Sequence, residues 1–443
     1  MRSTSSRRRF IQTIVAAGAG LSLSGGRLRA AGPNGRLNVA SIGTGGKGWS
    51  DVTSVAASPN VKIVAICDID ERAEHLGRAA ERFSDAKTYT DWRRLLDDAQ
   101  TFDAAIVSTP DHMHAPIALA AMALGKHVFC QKPLTHTVAE ARQMRGAARR
   151  SGVVTQMCNQ IQSDVAYRTA VQLVHDGAIG KVREVFSWQS GGMRWMLESD
   201  RPAGEDPVPP QLHWDEWLGV APARPYKNKI YHPFNWRAWQ DFSNGQLGDF
   251  GCHILDPVFM AIGLTAPTTI RAEAPPINRE VWTKQSMVEY EFPATERTDG
   301  KLRLTWYDGE GHQPPRERLG LPDGVELPGA GSLLVGEKGS LVIPHVAMPR
   351  LLPAEKFADY KLPDVGGRDH YVSWADACRG EGTTTSHFDY SGPLTEAVLL
   401  GTVAIRLPGE KLQWDSEAMK IANSPAAAAL LTKNYRKGWE PLS

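Results

Sequence analysis

A short apolar run, Leu37 to Ile42 (LNVASI), leads straight into Gly43-Thr44-Gly45-Gly46-Lys47-Gly48. Few arrangements constrain a fold as tightly. An apolar run followed by glycines spaced GxGxxG reads as a buried strand, a tight turn and a helix lying close to that strand. Gly43 permits the turn, Gly45 lets backbone approach a pyrophosphate, and Gly48 lets the helix close on the strand. The helix N-terminus then offers unpaired N–H groups to phosphate oxygens. A lone GxGxxG is weak, so its context decides. A second strand, Val61 to Cys67, ends in Asp68, about 20 residues past the glycines, where a carboxylate binds a ribose 2′-hydroxyl. That carboxylate repels a 2′-phosphate, which favours NAD over NADP. The alternative role for Asp68 is that of a turn residue at a strand end.

Further elements alternate. Glu71 to Phe83, Asp91 to Asp98 and Pro116 to Leu124 read as helices; Lys87 to Tyr89, Asp103 to Ser108 and His127 to Cys130 read as strands. Strict alternation predicts a doubly wound parallel sheet over residues 36–157. Ligands bind beyond the carboxyl ends of such strands. The glycine loop, the run Thr109-Pro110-Asp111-His112-Met113-His114 and the tripeptide Gln131-Lys132-Pro133 all fall there.

These segments, with CDID, STPDHMHAPIALAAMALGKHVFCQKPLTHTVAEAR and GQLGDFGCHILD, resemble the glucose–fructose oxidoreductase / inositol dehydrogenase / rhizopine-catabolism (Gfo/Idh/MocA) family, in particular its exported members. The resemblance implies a Rossmann domain followed by a C-terminal domain built on an open, mostly antiparallel sheet. It also implies NAD-linked chemistry on a hydroxyl of a sugar, cyclitol or related polyol. Lys132 falls on the lysine of the family's Glu-Lys-Pro pattern, which lies beside nicotinamide and substrate and is catalytic there. Gln131 stands where the family has glutamate. Thr109, Pro110 and His114 match the Thr-Pro-Asn-x-x-His segment, with Asp111 in place of asparagine, so that His114 and Asp111 are expected near the nicotinamide ribose. Helix capping is the competing role for Asp111 and His112.

The second domain is expected over residues 158–443. Asn159 is a substrate-contact candidate where the resemblance places the crossing between domains. Helices are expected at Ala139 to Ser151 and Val165 to Asp176, and strands at Val153 to Met157, Lys181 to Gln189, Thr268 to Ala274, Gln285 to Phe292, Lys301 to Tyr307 and Ser332 to Ile343. Asp249 and His253 are four apart and share one face of a helix; they resemble the family's Asp-x-x-x-His pair, which points at substrate. Removing a hydride from a carbinol needs a base within hydrogen-bond reach of the hydroxyl. His253 is the first choice for that base and Lys132 the second, with a capped core pair or a metal-binding pair as alternatives; no third metal ligand is marked by spacing. Eight of the 13 tryptophans lie between Trp188 and Trp306. Trp236 and Arg237 are candidate sugar contacts, and Trp188 and Trp306 are expected in the core.

The formal charge of +1 conceals an asymmetry, because the first 31 residues hold six arginines and no acid. The remainder is net acidic and has no electrostatic reason to bind nucleic acid. Ser6-Arg7-Arg8-Arg9-Phe10-Ile11, a short apolar stretch and Ala30-Ala31 read as a twin-arginine signal over residues 1–31, engaging that export machinery and giving a periplasmic enzyme. Five scattered cysteines without a CxxC pair suggest buried thiols. Three functions remain open: an NAD-dependent carbohydrate dehydrogenase, an NAD-assisted glycosidase or epimerase without net redox, and a non-catalytic sugar- or cofactor-binding protein. A homodimer or homotetramer is expected from the resemblance.

Overall fold

The computed structural model describes residues 35–191, 201–276, 278–321 and 324–440; the arginine-rich leader lies outside them. Six strands form the first sheet, all parallel: β1 (Leu37–Ile42), β2 (Val61–Cys67), β3 (Lys87–Tyr89), β4 (Ala104–Val107), β5 (His127–Cys130) and β6 (Thr155–Met157). Their spatial order is β3-β2-β1-β4-β5-β6. The chain therefore reverses direction across the sheet between β1 and β4, which opens a crevice at their carboxyl ends. β1 is sealed on both faces, as a central parallel strand must be, and Gly43 continues it by donating its N–H to the Cys67 carbonyl at 2.8 Å. Helix α1 (Gly46–Val55) follows the glycines, α2 (His114–Ala123) follows β4, and α3 (Val138–Ser151) starts at a capping box of Thr137 and Glu140.

The second sheet has nine strands: β7 (Val182–Gln189), β8 (Thr269–Glu273), β9 (Ser286–Phe292), β10 (Thr298–Asp308), β11 (Ala330–Gly336), β12 (Ser340–Pro344), β13 (Arg350–Leu352), β14 (Lys411–Asp415) and β15 (Lys420–Ile421). Their order is β13-β12-β11-β7-β10-β9-β8-β14-β15. Only β7 and β10 run parallel; the other pairs are antiparallel. Trp188 and Trp306 are fully buried in this sheet, as expected. α4 (Gly245–Ile254) lies between the sheet and the crevice, and α6 (Phe388–Ile405) packs against α3 and α4.

Two expectations need correction. Ser332 to Ile343 is a hairpin rather than one strand, since Glu337-Lys338-Gly339 reverses the chain between β11 and β12. Glu71 to Phe83 is not one continuous α-helix. Ala73–Gly77 forms a wider π-type turn before a short helix at Arg78–Arg82, and His75 inside it is non-helical (φ −120°, ψ −110°). Helix α5 (His370–Cys378) returns to the first domain, where Trp374, Ala375 and Cys378 share a core with Val39, Val52 and Phe129.

Candidate functional site

The crevice beyond β1, β2, β4 and β5 is a cleft of about 860 Å³. Gly43, Gly45, Gly46, Lys47 and Asp68 line one end. Gly43 has φ +83°, and a Cβ on it would sit 2.4 Å from the Ser108 carbonyl oxygen; a Cβ on Gly48 would sit 2.1 Å from the Gly43 oxygen. Side chains are excluded so that strand, turn and helix can close together. Gly45 caps α1 without any side-chain bond to the helix N-terminus, which leaves that end to a ligand.

Asp68 is turned into the glycine loop. Its Oδ2 accepts from the Thr44 N–H at 2.7 Å, the Gly45 N–H at 3.0 Å and the Thr44 hydroxyl, and its Oδ1 accepts from the Asp70 N–H. It combines the turn role with a place on the cleft wall. Thr44 itself is fully buried, and Lys47 donates to Asp51 at 2.5 Å and to the Tyr371 hydroxyl at 2.8 Å.

Thr109, Pro110, Asp111, Gln131 and Lys132 line the middle of the cleft. Lys132 Nζ donates to Asp249 Oδ1 and to the Asp249 carbonyl, both at 2.5 Å. The Arg237 guanidinium lies 3.8 Å from the same carboxylate and 4.3 Å from the Trp236 ring centre. Burial works to raise Asp249, but Lys132 and Arg237 outweigh it and hold the carboxyl below its usual range. His253, one turn further along α4, lines the cleft too, and its Nδ1 is buried without a hydrogen-bond partner. Burial, with the charge of Lys132 adding, holds its imidazole well below 6.5. The ring is neutral at neutral pH and keeps a lone pair. An amine, an imidazole and a carboxylate thus line the same cleft as the glycine loop.

Gln131 has a visible cause. Its Nε2 donates at 2.6 Å to Asp51 Oδ2, a fully buried carboxylate on α1 that also receives the Ser108 hydroxyl and Lys47. Position 131 itself is neutral, and its amide bonds the Asp51 carboxylate on α1. Gln131→Glu would set two carboxylates face to face in a buried site, so it should cost about 2–4 kcal/mol of stability, read as a lowered thermal midpoint.

Asp111 holds the N-terminus of α4, since its Oδ2 accepts from the backbone N–H and side-chain amide of Asn244. Burial, reinforced by Asp249, pushes it up to about 7. Between its ordinary value of 3.8 and about 7 the folded chain keeps a proton that the unfolded chain releases. This group therefore lowers stability as pH rises through that window. Asp111→Asn keeps an acceptor for Asn244 and removes the titration. Its stability relative to wild type should rise from pH 5 to pH 8, by at most about 2–3 kcal/mol, in paired thermal melts.

Four sequence-derived candidates are absent from the cleft wall: Thr44 and Gly48, which are buried within the glycine turn, and His114 and Asn159. His114 does not line the cleft: its ring lies between the Pro133 and Thr109 carbonyl oxygens, at 2.8 and 2.7 Å, where it braces the lysine loop. Burial holds it down to about 4. Asn159 is completely buried, with its Oδ1 accepting from the Ser386 hydroxyl, and makes no wall of the cleft. His112 caps no helix; its Nε2 faces the Trp217 carbonyl oxygen at 3.2 Å.

Sequence reasoning passed over Asp51, Asp70, His75 and His232. The last three bring a carboxylate oxygen and two ring nitrogens within 4.8 Å of one another. His232 Nε2 lies 2.6 Å from Asp70 Oδ2, and Arg72 clamps the same carboxylate, supplying positive charge there. Lone histidines far apart in sequence carry no spacing signal; only the second Asp of CDID hinted at this cluster.

The family model for the "Oxidoreductase family, NAD-binding Rossmann fold" (GFO_IDH_MocA) matches residues 37–158, and the one for its "C-terminal alpha/beta domain" matches residues 164–300. A levoglucosan dehydrogenase of Pseudarthrobacter phenanthrenivorans is 32% identical over 33% of this chain and 39% of its own length. A glycosyl hydrolase family 109 protein of Saccharopolyspora erythraea is 32% identical over 40% of this chain and 44% of its own. The chain thus matches only about two fifths of the length of these relatives. The WlbA dehydrogenase of Bordetella pertussis, solved with NADH and UDP-GlcNAcA, superposes with a TM-score of 0.59 at 15% identity, over 86% of this chain and 99% of that one. That likeness establishes the fold.

Proposed function

Because the chain belongs to the Gfo/Idh/MocA oxidoreductase family and carries its NAD-binding Rossmann domain, we propose that it is an NAD-dependent oxidoreductase acting on a hydroxyl of a sugar, cyclitol or glycoside. The observation that carries this reading is the Lys132–Asp249 pair at 2.5 Å, with His253 on the same helix face as Asp249 and the glycine loop, whose following helix has no side-chain cap, at the other end of the same cleft.

The glycine loop fits a dinucleotide, since a Cβ at Gly43 or Gly48 would collide with backbone and the α1 N-terminus has no side-chain cap. Gly43, Gly45, Gly46 and Asp68 would hold the cofactor, with Thr109 and Pro110 beside them. Bound NAD supplies a hydride acceptor or donor. Neutral His253 takes the hydroxyl proton on a ring nitrogen, and Lys132 Nζ faces the negative charge that develops on that oxygen. Asp249, with Arg237 beside its carboxylate, fixes the Lys132 amine. Trp236 offers an aromatic face for sugar C–H groups.

The second reading is hydrolysis or epimerisation through a transient ketone, favoured by the similarity to a glycosyl hydrolase family 109 protein. Incubating purified protein with a glycoside and polyol panel separates the two. A keto-sugar with reduced nicotinamide supports the dehydrogenase; free sugar without an electron acceptor supports the second reading; ligand binding without turnover of any panel member contradicts both and leaves a binding protein. Export through the twin-arginine route and homo-oligomerisation complete the proposal, tested by cell fractionation after Arg7→Lys/Arg8→Lys/Arg9→Lys and by light scattering.

A further inference from the structure

The second glycine of a GxGxxG loop leaves room for a pyrophosphate. In this chain that room adjoins an imidazole. A Cβ built on Gly45 would lie 1.8 Å from His75 Nδ1, so the ring covers the glycine's open face. The opposite edge of the ring faces a carboxylate, with His75 Nε2 3.5 Å from Asp70 Oδ2. Asp70 is fully buried and held from two sides: by Arg72, and by His232 Nε2 at 2.6 Å, which comes from the second domain. The non-helical backbone at His75 (φ −120°, ψ −110°) interrupts the helix where the ring reaches this position. His75 and His232 both line the cleft.

We infer that His75 is a ligand of the dinucleotide's pyrophosphate, taking up a proton as the cofactor loads, with Asp70 and His232 as its positioning residues. A neutral imidazole carries one N–H and can serve either Asp70 or a phosphate oxygen. An imidazolium carries two and serves both. In the free cleft, burial holds His75 below its ordinary value; Asp68, Asp70 and Glu74 pull upward and His232 pulls downward, while Arg72 is committed to Asp70. The negative charges of a pyrophosphate favour the charged ring. Binding therefore takes up a proton at neutral pH, and affinity weakens as pH rises. His232 ties this contact to the second domain, so the cofactor seat is complete only when the two domains are docked.

This deepens the NAD part of the proposed function and is independent of substrate chemistry, so failed turnover leaves it standing. The test is calorimetry on the full chain stripped of nucleotide, in buffers of differing ionisation enthalpy. Wild type should take up close to one proton per NAD at pH 7 and weaken up to about tenfold per pH unit between pH 6 and pH 8. ADP-ribose, which keeps the pyrophosphate, should show the same uptake, and AMP, which lacks it, none. His75→Gln should bind NAD about tenfold more weakly and lose the proton uptake that ADP-ribose also shows. His232→Ala should lose part of the uptake, and His232→Gln should restore affinity. Tighter or unchanged NAD binding in His75→Gln overturns the inference, because the ring then merely blocks the seat. So does equal uptake with AMP, or a stoichiometric divalent ion in the purified protein that His232→Ala removes. If His75→Gln misfolds, His75→Asn carries the same test, and the AMP and ADP-ribose comparison, which needs no variant, still overturns the inference when the two uptakes are equal.

Discussion

Lys132→Ala should lower kcat on the oxidised sugar by about 10³-fold while NAD affinity stays within about threefold of wild type. The amine contacts no part of the glycine loop. It donates to Asp249 at 2.5 Å and faces the centre of the cleft. Its removal leaves a developing alkoxide without its cation, while Asp249 keeps Arg237 nearby. Lys132→Arg should not restore the rate, since a planar fork does not reproduce a point charge on a flexible stem. Stopped-flow turnover and NAD titration read the two effects separately. Unchanged turnover in Lys132→Ala would mean the chemistry has been assigned to the wrong groups.

Gly43→Ala is expected to have the largest effect on cofactor binding. The residue sits at φ +83°, and an added Cβ meets the Ser108 carbonyl oxygen at 2.4 Å. The neighbour is backbone at the end of β4, so no rotamer change relieves the clash. Strain and displacement should cost about 3 kcal/mol or more and weaken NAD binding by at least about 100-fold, equivalent to 2.7 kcal/mol. Gly46→Ala is the control. Gly46 also has positive φ, +50°, but a Cβ there meets nothing within 4 Å, so about 1 kcal/mol is expected. Thermal melts and calorimetric titration distinguish the pair.

Local chemistry made the Rossmann half readable. The run LNVASI, the glycine spacing and Asp68 are each dictated by contacts within a few residues or across neighbouring strands, and the structure has them in that arrangement. Asp249 and His253 were readable for the same reason, because helix periodicity alone puts them on one face. Long-range packing was not readable. His114 and Asn159 lie in recognisable segments, yet tertiary contacts turn them to backbone carbonyls and Ser386. The same contacts draw α5 back onto α1, although it comes more than 300 residues later. The Asp51–Gln131 bond spans 80 residues, so no local pattern could announce it. The hairpin at β11 and β12 was missed because two apolar strands flank a turn of only three residues, which reads as one interrupted strand.

The central claim is spatial: cofactor and carbinol meet at Lys132, Asp249 and His253. The most direct measurement is an experimental structure of the full chain with NAD and an unreactive polyol. The account predicts the nicotinamide ring over the Lys132–Asp249 pair, with a polyol hydroxyl within hydrogen-bond reach of both Lys132 Nζ and a His253 ring nitrogen. A nicotinamide ring directed away from α4, or a polyol hydroxyl touching neither group, would contradict it.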